Sequence, residues 1–133
     1  MAIQRGDIYR VNLEPTIGSE QQGNARPCVV LSVSAFNNKL RTIGVVPLSL
    51  SPRPLPPLIV STPSAGQPTS TALCGQLRTI DKRRIVDGPA GRLSQDDLEQ
   101  VEKSIKALLR PLDAAFRETH LSFRGRESHE PRD

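Results

Sequence analysis

The sequence predicts a mainly β protein, a small barrel of five to seven strands with one C-terminal helix, and three observations carry that expectation. Short runs of alternating or continuous apolar residues recur between Asp7 and Val86, bounded by Gly, Pro, Asn and Ser. Helical spacing is convincing only once, where Leu98, Val101, Ile105, Leu108 and Leu112 follow one another at three and four residues. Aromatic residues make up only 3% of the chain, so a core must be built from Val, Ile and Leu. Closing a small sheet on itself removes exposed strand edges, which favours a barrel over an open sheet. At 133 residues the chain fits one domain, able to bury roughly two thirds of the surface its unfolded form exposes. Residues 1–112 are expected to form the barrel with its helix. Residues 113–133, polar and mixed in charge, are expected to form a mobile tail.

The first strand is read at Asp7 to Leu13, where Ile8, Arg10 and Asn12 alternate with Tyr9, Val11 and Leu13. A second, Cys28 to Val33, is apolar almost throughout and should lie buried on both faces. Ser34 to Lys39 reads as a short helical turn or polar loop, and a third strand follows at Thr42 to Leu48. Seven of the twelve prolines fall between Pro47 and Pro68, around one strand at Leu58 to Ser61. Proline gives no N–H to a ladder, so that strand belongs at an edge; the loop before it is either a rigid connector or a flap beside a groove. Ser70 to Ile80 reads as one long strand with a bulge at Gly75, and Ile85-Val86 as a last short one. Ser94 can cap the helix that follows, Asp97 can reach back as in a capping box, and Pro111 should end it.

Between the first two strands lies Gly18-Ser19-Glu20-Gln21-Gln22-Gly23-Asn24-Ala25-Arg26-Pro27. A carboxylate, three amides, a hydroxyl and a guanidinium in ten residues exceed what a bend requires, and a loop this long held by strands suits binding or catalysis. Charge points the same way. Residues 1–93 hold eleven Lys and Arg against five Asp and Glu, a net of +6, whereas residues 94–133 hold seven against nine, a net of −2. A basic barrel attracts phosphate polyanions, although an ordinary basic domain has the same balance.

The two cysteines, Cys28 and Cys74, lack the spacing of a metal site or redox pair and read as buried apolar residues, with a disulfide as the alternative. Both histidines, His120 and His129, lie in the tail, and the acids before it are scattered. No metal or cofactor is therefore expected, and hydrolysis should be metal-independent. No apolar run approaches the roughly 20 residues of a membrane helix, so a cytoplasmic protein without membrane contact is expected.

Arg5-Gly6-Asp7-Ile8-Tyr9, Leu13-Glu14-Pro15, Gly18-Ser19-Glu20-Gln21 through Arg26-Pro27, and Gln76-Leu77-Arg78-Thr79-Ile80-Asp81-Lys82 resemble, in order, the MazF/PemK family of toxin endoribonucleases. This chain carries one residue more than the family pattern between its Glu-Gln and Arg-Pro pairs. The resemblance implies an SH3-like barrel of the CcdB and PemK type, a homodimer, a single-stranded RNA substrate and inhibition by a cognate antitoxin. It implies cleavage by the ribose 2′-hydroxyl, leaving a 2′,3′-cyclic phosphate and a 5′-hydroxyl. By the same resemblance Arg26 and a hydroxyl after the third strand, Ser49, carry the cleavage.

A guanidinium suits the crowded phosphate because it is always charged and presents a planar fork; otherwise Arg26 pairs with Glu20 to hold the loop. Glu20 is either the base or the group that positions Arg26. A carboxylate beside a guanidinium is a poor base, which favours positioning. Ser19, Gln21 and Gln22 carry donors and acceptors suited to exposed base edges. Two residues apart on one strand, Gln76 and Arg78 should point the same way; by the resemblance Gln76 would face the nucleotide groove, and Arg78, Lys82 and Arg84 would meet phosphate, the last two being otherwise a solvated corner. Tyr9 and Phe36 are the stacking candidates. Two other readings stay open: a gyrase poison resembling CcdB, and an RNA-binding barrel without catalysis.

Overall fold

The computed structural model describes residues 2–110. Seven strands, β1 Asp7–Val11, β2 Arg26–Val30, β3 Thr42–Ser49, β4 Ile59–Ser61, β5 Thr71–Leu73, β6 Arg78–Asp81 and β7 Ile85–Arg92, join helices α1 Ser34–Asn37 and α2 Gln95–Leu109. The sheet runs β4-β5-β3-β2-β1-β7 with every pairing antiparallel, and β6 also pairs with β3. A single 3-10 turn, Lys82–Arg84, carries β6 directly into β7, so the two outer strands of the β6-β3-β2-β1-β7 set are continuous in chain.

Alternation along the central strands divides the apolar side chains between two cores. Tyr9, Val11, Cys28, Val30, Val45 and Ile80 gather on the inner face with Ile3, Leu13 and Ile43. Ile8, Val29, Val46 and Leu48 point the other way, against Leu98 and Val101 of α2. The expected two-sided burial of the second strand therefore holds for Cys28, Val29 and Val30. Each such side chain contributes about 1.5–3 kcal/mol by leaving water. The strand begins at Arg26 and ends at Val30, however, and Val33 is exposed.

Three other expectations are corrected. The stretch Ser70 to Ile80 is not one strand. Continuing the pairs Ser49↔Thr71 and Leu48↔Ala72 along β3 would set Val45 opposite Gly75, yet Val45 pairs with Arg78. Cys74–Gln76 form a 3-10 turn that takes up these three residues. The last strand is eight residues long, not two, because pairing with β1 overrides the turn-like Asp87-Gly88-Pro89-Ala90-Gly91. Gly88, at φ +130°, lies so close to Tyr9 that a Cβ would come within 2.8 Å of the ring. Asp97 does not close a capping box with Ser94. The Ser94 hydroxyl accepts from Asp97 N at 3.1 Å as expected, but Asp97 accepts from Ser64 N at 2.9 Å, and Ser64 Oγ accepts from Ser94 N at 2.9 Å.

The proline-flanked strand β4 lies at the edge of the sheet as expected. Cys28 and Cys74 are both buried and free, and burial pushes their thiols up to about 12 and about 11. Pro111, Leu112, both histidines and the 113–133 tail lie outside the described residues.

Candidate active site

A shared cavity brings the two expected catalytic residues together. Arg26 opens β2 and Ser49 ends β3, each two residues beyond the last β2–β3 pair, Cys28↔Pro47. Both line one cavity of about 320 Å³, walled also by Leu48, Leu50, Ala65 and Gln67. Leu50 belongs to the loop before β4, for which a flap beside a groove was one of the two readings, whereas the β4–β5 segment that supplies Ala65 and Gln67 had no role in the sequence reading.

Arg26 is the first residue of β2 and pairs with Val11 of β1, so its backbone belongs to the sheet. Its guanidinium does not meet Glu20. Nε donates to the Gln22 carbonyl at 3.2 Å. The Gln21 amide, with its oxygen turned toward the guanidinium, accepts from Nε at 3.2 Å and Nη2 at 2.8 Å. Neutral acceptors thus hold the cation without cancelling its charge. Across the cavity, Ser49 Oγ accepts from Ser51 N at 3.3 Å, and the Ser49 carbonyl accepts from Thr71 Oγ1 at 3.0 Å. A hydroxyl held through its oxygen keeps its hydrogen for an incoming acceptor.

Glu20 turns back on its own loop, where Oε1 accepts from Ile17 N at 2.8 Å. The ion-pair reading and the positioning role are therefore corrected: Gln21 and Gln22, not Glu20, hold Arg26. A second cavity of about 420 Å³ brings Glu20 and Gln21 together with Gln76, Arg78, Leu13 and Pro47. Gln76 and Arg78 reach it from a turn and a strand, not by alternation along one strand. Gln76 Oε1 accepts from Gln21 N at 3.2 Å, Nε2 donates to the Ser19 carbonyl at 3.4 Å, and Arg78 Nη1 donates to the Leu13 carbonyl at 2.9 Å. Ser19 and Gln22 are exposed on the loop.

The loop is tied off at its far end by a residue that sequence reasoning missed. Glu14 Oε2 accepts from Gly23 N at 2.9 Å while Leu13 N donates to the Gly23 carbonyl at 2.8 Å. A carboxylate three residues beyond a strand, facing a glycine-bounded loop, was the available signal.

Two expected phosphate contacts are drawn elsewhere. Arg84 Nη1 donates to the carbonyls of Asn12, at 3.1 Å, and Glu14, bracing the end of β1. Lys82 lines a different cavity with Lys39, Arg41 and Asp81. That cavity borders the Thr42 end of β3, where Thr42 pairs with Asp81, about 23 Å of strand from Ser49. Tyr9 is buried and unavailable for stacking, and its hydroxyl is pushed up by burial and by nearby Asp7. Phe36 is exposed on α1 but lines neither of the two cavities that flank Gln21.

A family model described as a PemK-like, MazF-like toxin of type II toxin-antitoxin systems matches residues 4–109. Endoribonuclease EndoA of Bacillus subtilis is 29% identical over 117 residues, covering 85% of this chain and 99% of that protein. Endoribonuclease toxin MazF of Escherichia coli K12 is 32% identical over 104 residues, covering 78% and 91%. Among solved structures, a crystal structure of MazF from Deinococcus radiodurans superposes with a TM-score of 0.72 at 25% identity, covering 82% of this chain and 97% of that one. A mycobacterial endoribonuclease in complex with its cognate antitoxin has the same fold, with a TM-score of 0.67 at 21% identity over 84% of this chain and 100% of that one.

Proposed function

Because the chain belongs to the PemK-like, MazF-like toxin family of type II toxin-antitoxin systems, we propose that this toxin endoribonuclease cuts single-stranded RNA at the cavity between Arg26 and Ser49. The observation that carries the reading is the cavity of about 320 Å³ that a guanidinium and a hydroxyl 23 positions apart in sequence line together. Arg26 binds the non-bridging oxygens of the scissile phosphate and stabilises the charge that builds there. The neighbouring 2′-oxygen attacks phosphorus, the bond to the 5′-oxygen breaks, and the Ser49 hydroxyl donates to the phosphate or to the departing oxygen. The products are a 2′,3′-cyclic phosphate and a 5′-hydroxyl, and no metal ion takes part. With Arg26 held by amides, the ground for confining Glu20 to positioning is gone, and Glu20, on the other side of Gln21, is the base we propose for the 2′ proton. The second cavity, with Arg78 in its wall and exposed Ser19 and Gln22 on the loop beside it, takes a neighbouring nucleotide and supplies sequence selectivity.

The rest of the biology follows from the same reading. The partner is a cognate antitoxin whose acidic segment competes with RNA for the cationic groove. A homodimer belongs to the same family reading. No described helix is long and apolar enough to cross a membrane, and a cytoplasmic site of action fits an RNA substrate.

The test is incubation of purified protein with a long RNA in EDTA. Discrete cuts carrying a 5′-hydroxyl and lost in Arg26→Ala are the expected result. Intact RNA retarded on a gel would instead indicate a non-catalytic RNA-binding barrel. Intact, unbound RNA would indicate a gyrase-directed toxin.

A further inference from the structure

We infer that Gln76 is a positioning residue: acting through Gln21, it sets the Arg26 guanidinium at the angle that cleavage requires. The inference rests on the reading of Arg26 as the phosphate-binding group. Gln76 closes the 3-10 turn Cys74–Gln76, which absorbs the three-residue change of register along β3. Its amide faces the loop with both ends, accepting from Gln21 N at 3.2 Å and donating to the Ser19 carbonyl at 3.4 Å. Two of the four hydrogen bonds this amide can make are thereby spent on the loop. The side chain of Gln21 then accepts from Arg26 Nε and Nη2. The series therefore runs from the Gln76 side chain to the Gln21 backbone, and from the Gln21 side chain to Arg26, linking the β5–β6 turn to the cavity.

The two ends of this series differ in firmness. The turn is anchored by buried Cys74, by Gly75 N donating to the Leu58 carbonyl at 3.3 Å, and by Leu77 N donating to the Cys74 carbonyl at 3.3 Å. The loop has no comparable apolar anchor, since Ile17 is 81% exposed. Its clasps at Glu20–Ile17 and Glu14–Gly23 fall on either side of Gln21 and leave that residue to Gln76. A displacement of about 1 Å in a phosphate-binding group can cost about 100-fold in rate. An amide acceptor also fixes the guanidinium without neutralising it, which a carboxylate would do.

The experiment compares steady-state cleavage of a short RNA by wild type, Gln76→Ala, Gln21→Ala, the double variant and Arg26→Ala, with thermal unfolding as the check on folding. Gln76→Ala is expected to lower kcat by about 10- to 100-fold with KM within about twofold. Gln21→Ala should do the same, and the double variant should be no slower than Gln21→Ala alone, because both break one series. Gln76→Glu, which keeps an acceptor for Gln21 N, should retain more kcat than Gln76→Ala. A raised KM with unchanged kcat in Gln76→Ala, or additive losses in the double variant, would overturn the inference and make Gln76 a direct RNA contact. Arg26→Ala separates the two levels: undiminished cleavage removes the underlying mechanism, whereas lost cleavage beside a KM-only effect of Gln76→Ala removes only the relay. If Gln76→Ala does not fold, Gln21→Ala carries the same kcat-against-KM readout.

Discussion

The two ends of β3 carry the same kind of residue in opposite electrostatic states. At the Ser49 end, the Arg26 guanidinium rests on the Gln22 carbonyl and the Gln21 amide. At the Thr42 end, Arg83 is locked onto Asp81, with Nε on Oδ1 at 3.0 Å and Nη2 on Oδ2 at 3.1 Å. Both arginines are held in a defined place and both stay charged, but only Arg83 has a carboxylate partner that offsets its charge. A cation meant for a transient phosphate must be oriented by neutral dipoles, because a permanent carboxylate would compete with the substrate for the same fork. A cation that only stabilises a turn can be neutralised without loss.

Removing Arg26 should break the comparison most visibly. Arg26→Ala is expected to lower kcat/KM for RNA cleavage by about 100- to 1,000-fold, the usual loss when one preorganised charge-stabilising donor is deleted. Arg83→Ala, measured in the same assay, should leave cleavage unchanged. Equal losses at the two ends would mean that the distinction has no catalytic meaning.

Ser49→Ala is next, with an expected fall of about 100-fold in kcat and little change in KM. Ser49→Thr keeps the hydroxyl and should restore most of the rate. A threonine variant as slow as the alanine one would transfer the role to another group.

Gln21→Glu sharpens the contrast directly, since it gives Arg26 the ion pair that Arg83 already has. Cleavage should fall by about tenfold, or about 1.4 kcal/mol of transition-state stabilisation. The fold should stay intact by thermal unfolding. Unchanged cleavage would show that a neutral clasp is not required.

The smallest effect is one of pH. Side-chain and backbone hydrogen bonds from Arg83 hold the Asp81 carboxyl below its ordinary value of 3.8. A lowered pKa stabilises the fold above the ordinary value, and that contribution is lost as pH falls through the folded one. Arg83→Ala should therefore lower the thermal midpoint slightly at neutral pH, with wild type and variant converging in acid. A gap that widens in acid would reverse the assignment. Both side chains are solvent-screened, so the shift should stay small.

Much of the fold was legible because local patterns reported on it: alternation in Asp7–Val11, the apolar run at Cys28–Val30, the Ser94 cap and the helical spacing to Leu108 each act over a few residues. The misread strands share one cause. Ser70–Ile80 looked continuous because its composition is strand-like throughout, and the interruption comes from sharing one edge of β3 at two registers. Asp87–Gly91 looked like a turn because its residues permit one, and pairing with β1 overrode the preference.

The sequence by itself determined the residue types of the site, the basic barrel and the family, since motifs and charge are properties of the chain. Only the tertiary structure decided which groups meet. It put Arg26 and Ser49 on one cavity, gave Arg26 to Gln21 instead of Glu20, and sent Lys82 to the other end of β3. The physical reason is that strand register and loop clasps depend on partners tens of residues away, and a one-residue slip in pairing would turn the strand residues Arg26 and Ser49 to the opposite face.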